Sequence, residues 1–99
     1  MTELTGKQRR YLRALGQGLA ATLHVGHEGV SDAVIGQAGA QLAAHELIKV
    51  RVSENAPESR HDMAAMLAER AGAALVQVLG RTALLYRPRP DEPTIKLPA

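Results

Sequence analysis

The sequence predicts an α+β fold, a two-layer sandwich with a four-stranded mixed sheet in the order α-β-α-β-α-β-β. Three observations predict it. Apolar residues recur at helical spacing in three separated stretches. Leu47-Ile48-Lys49-Val50-Arg51-Val52 alternates as a half-buried strand does. Two β-prone runs flank Gly80-Arg81, a two-residue turn with glycine first, which is the type II′ hairpin signature. Ninety-nine residues suffice for one domain, residues 1–99. We expect its core over about residues 4–88, followed by an extended Pro-rich tail at 89–99.

Taken in order, Thr5-Gly6-Lys7-Gln8 reads as a capping box that opens a helix running to about Leu19. Leu12, Leu15 and Leu19 fall on one stripe with Tyr11 beside it, while Lys7, Arg9, Arg10 and Arg13 spread over the opposite arc. A short β run at Leu23-His24-Val25 enters the turn Gly26-His27-Glu28-Gly29. Ser31 then opens a second helix to His45, with Ile35, Ala38 and Leu42 as its apolar stripe. Gly36 and Gly39 inside that helix each cost about 1 kcal/mol relative to Ala, so we expect them to permit close packing on the sheet. The alternating strand follows, its Ile48, Val50 and Val52 on one side and Lys49 and Arg51 on the other. A third helix, about Glu58 to Ala71, turns Met63, Met66 and Leu67 inward and ends at Gly72. Ala73–Leu79 and Thr82–Arg87 form the hairpin, and the two βα crossovers should be right-handed. Pro88, Pro90 and Pro93 forbid regular structure beyond, though Ile95 and Leu97 can dock the tail.

Composition excludes several function classes. There is no Cys, hence no disulfide and no thiolate chemistry. The N-terminal MTELTGKQRR lacks the apolar core of a leader, and no run approaches the ~18 apolar residues of a membrane span. A cytoplasmic protein with no membrane partner is the expectation. Net charge is only +2, but its distribution is uneven. Lys7, Arg9, Arg10 and Arg13 face Glu3 alone, residues 14–48 hold Glu28, Asp32 and Glu46 without any Lys or Arg, and Arg81, Arg87, Arg89 and Lys96 outnumber Asp91 and Glu92. Such asymmetry points to a basic face and a polyanionic partner.

Strand, glycine loop and helix N-terminus at residues 22–35 make an arrangement that can hold an anion. Bare backbone lets a phosphate come close, and the N–H groups of the first helical turn point outward. As a bare string G-x-x-G is uninformative, since a second copy occurs at Gly36–Gly39. Glu28 opposes an anion there, and His27 helps only when protonated. Gly16-Gln17-Gly18-Leu19-Ala20-Ala21 formally fits a dinucleotide fingerprint but has helix and strand in the wrong order. His45-Glu46-Leu47-Ile48-Lys49 departs from the zinc-protease pattern at its last place. His24 and His27 have no third ligand at a usable spacing, and Ser31, Ser53 and Ser59 sit in no nucleophile elbow. We therefore expect no enzyme, metal, cofactor or small-molecule substrate. With no Phe or Trp, base stacking gives way to Arg and Lys contacts with phosphates, which favours structured RNA read by shape. The rival reading is a protein–protein adaptor, supported by the modest charge and the acid in the loop.

LTGKQRRYLRALG near the start, GHEG, HELIKVR at 45–51, GAALVQVLGRTALLYR at 72–87 and the closing KLP resemble the CRM domain, in its bacterial stand-alone, YhbY-like form. The likeness covers roughly residues 4–98. It implies a small RNA-binding domain with a fold similar to the C-terminal domain of translation initiation factor three. It further implies association with precursors of the large ribosomal subunit. Carried over by position, Gly26, His27, Glu28 and Gly29 would be the RNA-facing loop, and Lys7, Arg9, Arg10 and Arg13 the basic helix face. Lys49, Arg51, Arg81 and Arg87 would be candidates on the sheet and hairpin, with Leu47, Ile48, Val50, Val76, Val78 and Leu85 in the core.

Overall fold

The structure is a computed structural model that describes residues 3–99; Met1 and Thr2, which begin the segment read above for a leader, lie outside the described residues. Its elements are α1 (Gly6–Gly16), β1 (Ala21–Val25), α2 (Asp32–His45), β2 (Leu47–Val52), α3 (Arg60–Arg70), β3 (Ala74–Leu79) and β4 (Thr82–Tyr86). The helix starts follow local chemistry. Thr5 and Gln8 satisfy each other's backbone N–H at 3.1 Å in a capping box. Ser31 accepts from Val34 N–H and Ser59 from Asp62 N–H, so α3 begins after Ser59 and not at Glu58. Helix α3 ends in a Schellman arrangement on Gly72 (φ 66°), with Ala73 N–H donating to Ala68 and Gly72 N–H to Glu69.

The four strands form one sheet in the order β1-β2-β4-β3, with β1 parallel to β2 and the other pairs antiparallel. Both crossovers carry the chain the same way across the sheet, and both helices accordingly cover the same face. There α2 and α3 bury Leu23, Val25, Leu42, Ile48, Val50, Val52, Met63, Leu67 and Leu85. A smaller cluster on the other face joins Leu12 of α1 to Leu47, Val76, Leu84 and Tyr86, sealed by Ile95 and Leu97 of the tail. The sandwich thus gains a partial third layer, and α1 with the tail covers only part of that second face. At the hairpin, Gly80 adopts φ 57°, the left-handed geometry that a glycine-first turn requires.

Three expectations need correction. Helix α1 stops at Gly16, not Leu19, because Gln17, Gly18 and Leu19 N–H groups fold back onto the carbonyls of Arg13 to Gly16. The stripe expected on it shrinks to Leu12: Leu15 is 40% and Leu19 38% exposed, and Tyr11 is exposed as well. Close packing depends on Gly16, where an added Cβ would stand 2.6 Å from Leu84 Cδ2. Around Gly36 and Gly39 such an atom would meet nothing within 4 Å.

Both outer strands of the sheet carry side-chain guards. Arg9 donates to the carbonyls of Leu75 (2.7 Å) and Val76 (2.9 Å), where β3 bulges. Gln41 donates to the Thr22 carbonyl of β1 at 2.9 Å and accepts from its hydroxyl. Alanine substitution should separate the glycines by sign. Gly16→Ala is expected to destabilise by about 1–3 kcal/mol through overpacking, and Gly36→Ala to stabilise by about 0.5–1 kcal/mol as an interior helix position. Urea unfolding of the two variants beside the parent chain checks this.

Candidate nucleic-acid interface

Gly26–Gly29 forms a tight turn at the end of β1, closed by Gly29 N–H donating to the Gly26 carbonyl at 2.9 Å. Gly29 is buried at φ 71°, and a Cβ there would stand 2.9 Å from Pro57 Cγ. Both the left-handed backbone and the contact with the 53–59 connection therefore require glycine. His27 and Glu28 form the exposed tip. Of the helix N–H groups behind the loop, that of Val34 is taken by Ser31, and Asp32 adds a second acid beside Glu28.

Pleat and register dispose the other candidates. In β2, Ile48, Val50 and Val52 point to α2 and α3, so Lys49 and Arg51 emerge on the partly open face. Arg51 lies in register with His24 on β1 and Thr82 on β4; Lys49 lies in register with Leu84, which pairs in turn with Gln77. Because Gly16 lets α1 settle on Leu84, Arg13 and Gln17 come to the same recess as Lys49 and Gln77. The exposed His24 ring reaches back toward Gly26, its Cε1 4.0 Å from where a Cβ would be. Arg13, Lys49, Arg51 and His24 thus form a band that leads along β2 to the glycine loop.

The remaining candidates divide. Lys7 and Arg10 are exposed on α1, Arg10 folded back against Gly6. Arg81 meets Glu54 at 3.7 Å in a solvated pair worth at most about 1 kcal/mol. Arg9 holds the bulge of β3. Arg87 donates to the Ala71 carbonyl at the end of α3 (2.7 Å) and to the Gly39 carbonyl of α2 (2.9 Å). Their guanidinium groups fasten one element to another, so Arg9 and Arg87 stand apart from the solvent-facing cations.

Glu46, between α2 and β2, is fully buried at φ 65°. Its carboxylate accepts 2.8 Å hydrogen bonds from the backbone N–H groups of Arg89, Thr94 and Ile95. Arg89 donates onward to the Ala43 and Ala44 carbonyls that end α2. Burial alone would raise the Glu46 pKa, but those N–H donors and the Arg89 charge outweigh it and hold the carboxyl below its usual range. Burial, and then the Glu46 charge, push the Tyr86 phenol up. Sequence reasoning gave no role to Glu46, Gln17 or Gln77, whose surroundings depend on a tail, a helix end and a bulge that periodicity does not specify. Among the described residues, no group of three or more His, Cys, Asp or Glu could hold a metal ion, and no helix is long and apolar enough to cross a membrane.

The model of the CRS1 / YhbY (CRM) domain matches residues 4–87. A Bacillus subtilis protein named "Probable RNA-binding protein YqeI" is 41% identical, the alignment covering 96% of this chain and 99% of that one. A Haemophilus influenzae "RNA-binding protein" is 34% identical over 99% and 98% of the two chains. The solution structure of the hypothetical protein SAV1595 from Staphylococcus aureus superposes with a TM-score of 0.82 at 36% identity, covering 97% of this chain and all of the other.

Two outcomes test these assignments. Arg9→Ala should cost about 1.5–3 kcal/mol, since it leaves carbonyls without a charged donor, whereas Arg13→Ala should stay within about 0.5 kcal/mol; denaturant midpoints distinguish them. Glu46, with its folded pKa depressed, stabilises the fold above its unfolded pKa, and that contribution is lost as pH falls through the folded value. A urea series from neutral to acid pH should show the loss in the parent chain and a flatter profile in Glu46→Gln.

Proposed function

Because the chain belongs to the CRS1 / YhbY (CRM) domain family, we propose that it is a cytoplasmic, non-enzymatic RNA-binding protein acting on structured ribosomal RNA in precursors of the large ribosomal subunit. The observation that carries this reading is the band of Arg13, Lys49 and Arg51 with His24 beside them, a run of three cations and an imidazole on one partly open sheet face that ends at a glycine loop. Cations so held exchange condensed counterions for phosphates, which gives affinity without base readout. Tyr86 is buried and Tyr11 stands alone, so successive bases find no stacking platform. An ordered backbone presented by a folded RNA fits such a surface better than a flexible single strand. Exposed Lys7 and Arg10 on α1, and Arg81 at the hairpin turn, can add contacts, while Arg9 and Arg87 serve the band by fixing elements of the scaffold.

A second reading, a protein–protein adaptor, draws on an apolar groove of about 430 Å³ where the exposed Leu15 and Leu19 meet Ala20, Leu47 and Ile95. A gel-shift series with a structured ribosomal RNA fragment at rising salt separates the two, since an adaptor alone retards nothing. On the RNA reading, replacing Arg13, Lys49 and Arg51 with Ala weakens binding and reduces the slope of log affinity against log salt by up to about three. Arg87→Ala leaves the slope unchanged in whatever fraction remains folded. An undiminished slope in the triple variant would remove the sheet face from the interface.

A further inference from the structure

We infer that the recess between the end of α1 and the sheet is a discrete seat for one phosphodiester group, with Gln17 and Gln77 as directional donors beside Arg13 and Lys49. This rests on the RNA-binding reading and deepens it, from a diffuse basic face to a defined register point on the RNA backbone.

The recess has a volume of about 50 Å³, and Arg13, Gln17, Lys49, Gln77, Leu79 and Thr82 are among its lining residues. One water needs about 10–15 Å³ of such space, so the recess has room for a group the size of a small tetrahedral oxyanion. Two of its lining residues are cations, and none is a carboxylate. Among the described residues, the side chains of Arg13, Gln17, Lys49 and Gln77 have no hydrogen-bond or ion-pair partner, and Arg13, Lys49 and Gln77 are half-buried. Two like charges partly withdrawn from water at one recess repel each other, and an anion between them relieves that repulsion. The carbonyls that end α1, which would oppose an anion, already accept from Gln17, Gly18 and Leu19 N–H groups. Thr82 is left out of the donor set because its hydroxyl donates to the Leu79 carbonyl.

The scaffold positions each donor. Gly16 permits the close approach that brings Arg13 and Gln17 over the sheet. Arg9 holds the Leu75 and Val76 carbonyls, and the bulge it secures sets Gln77 in register with Leu84, which with Val76 belongs to the smaller buried cluster. Lys49 rises from the neighbouring register position on β2. Charge, two neutral amides and an exposed apolar edge at Leu79 are what a phosphodiester with its attached riboses would meet.

The full chain, isotopically labelled, is titrated with dimethyl phosphate and, at matched ionic strength, with sodium chloride. The seat predicts saturable one-to-one shifts of the Gln17 and Gln77 side-chain amides with the diester and none with chloride. In parallel, affinity for the structured RNA fragment is measured in Gln77→Leu and Lys49→Met. Gln77→Leu should lose about three- to tenfold in affinity at unchanged salt slope, and Lys49→Met should also lower the slope by about one. Should RNA bind the parent chain while chloride moves the amides equally, or Gln77→Leu bind undiminished, the seat is overturned and the RNA reading survives. Saturable diester binding without any retention of RNA keeps the seat and defeats the RNA reading.

Discussion

Three backbone N–H groups converging on one buried carboxylate hold this molecule in its shape. Glu46 stands where α2 gives way to β2, in a left-handed backbone that a non-glycine residue adopts only when its surroundings enforce it. Its N–H donates to Leu42, its carbonyl accepts from Arg87, and its side chain gathers the tail. The tail in turn brings Ile95 and Leu97 onto the cluster built by Leu12, Leu47 and Tyr86. Beside α1, part of the second face of the sheet is covered by a segment with no regular structure of its own, because a buried charge fully satisfied by N–H donors is costly to expose with its partners left unmet.

That reliance explains the division of labour among the basic residues. A guanidinium has five donors in a rigid fork and suits convergent backbone carbonyls. Arg9, Arg87 and Arg89 all act in this way, at a bulged strand, at helix ends and at a turn. Among the described residues, the side chains of Lys49, Arg51 and Arg13 donate to no carbonyl; Arg51 is exposed, and Arg13 and Lys49 are half-buried beside the recess. The molecule has two populations of cations, one inside its architecture and one outside it, and only geometry tells them apart.

Local chemistry was legible in the sequence wherever it had a local cause. The capping box at Thr5 and Gln8, the glycine-first hairpin, the left-handed Gly72 and the alternation that puts Lys49 and Arg51 opposite Val50 all follow from spacing. What could not be read were features whose cause lies far away in the chain. Glycines in mid-helix looked like the packing positions, yet it is Gly16 that meets a side chain, from a strand 68 residues on. Arg9 looked like part of a basic helix face, yet its partners are carbonyls 66 and 67 positions along. A carbonyl has no residue type, so an arginine that serves one leaves no mark in composition or spacing.

The guards on the two outer strands carry a consequence for how the molecule behaves among its copies. Exposed strand edges invite neighbouring chains to add on, the route by which sheets grow into aggregates. Arg9 fills two acceptors on one rim and Gln41 one on the other, so each border offers an interrupted template. Copies of the chain brought close together can therefore lie side by side without zippering into a continuous ribbon.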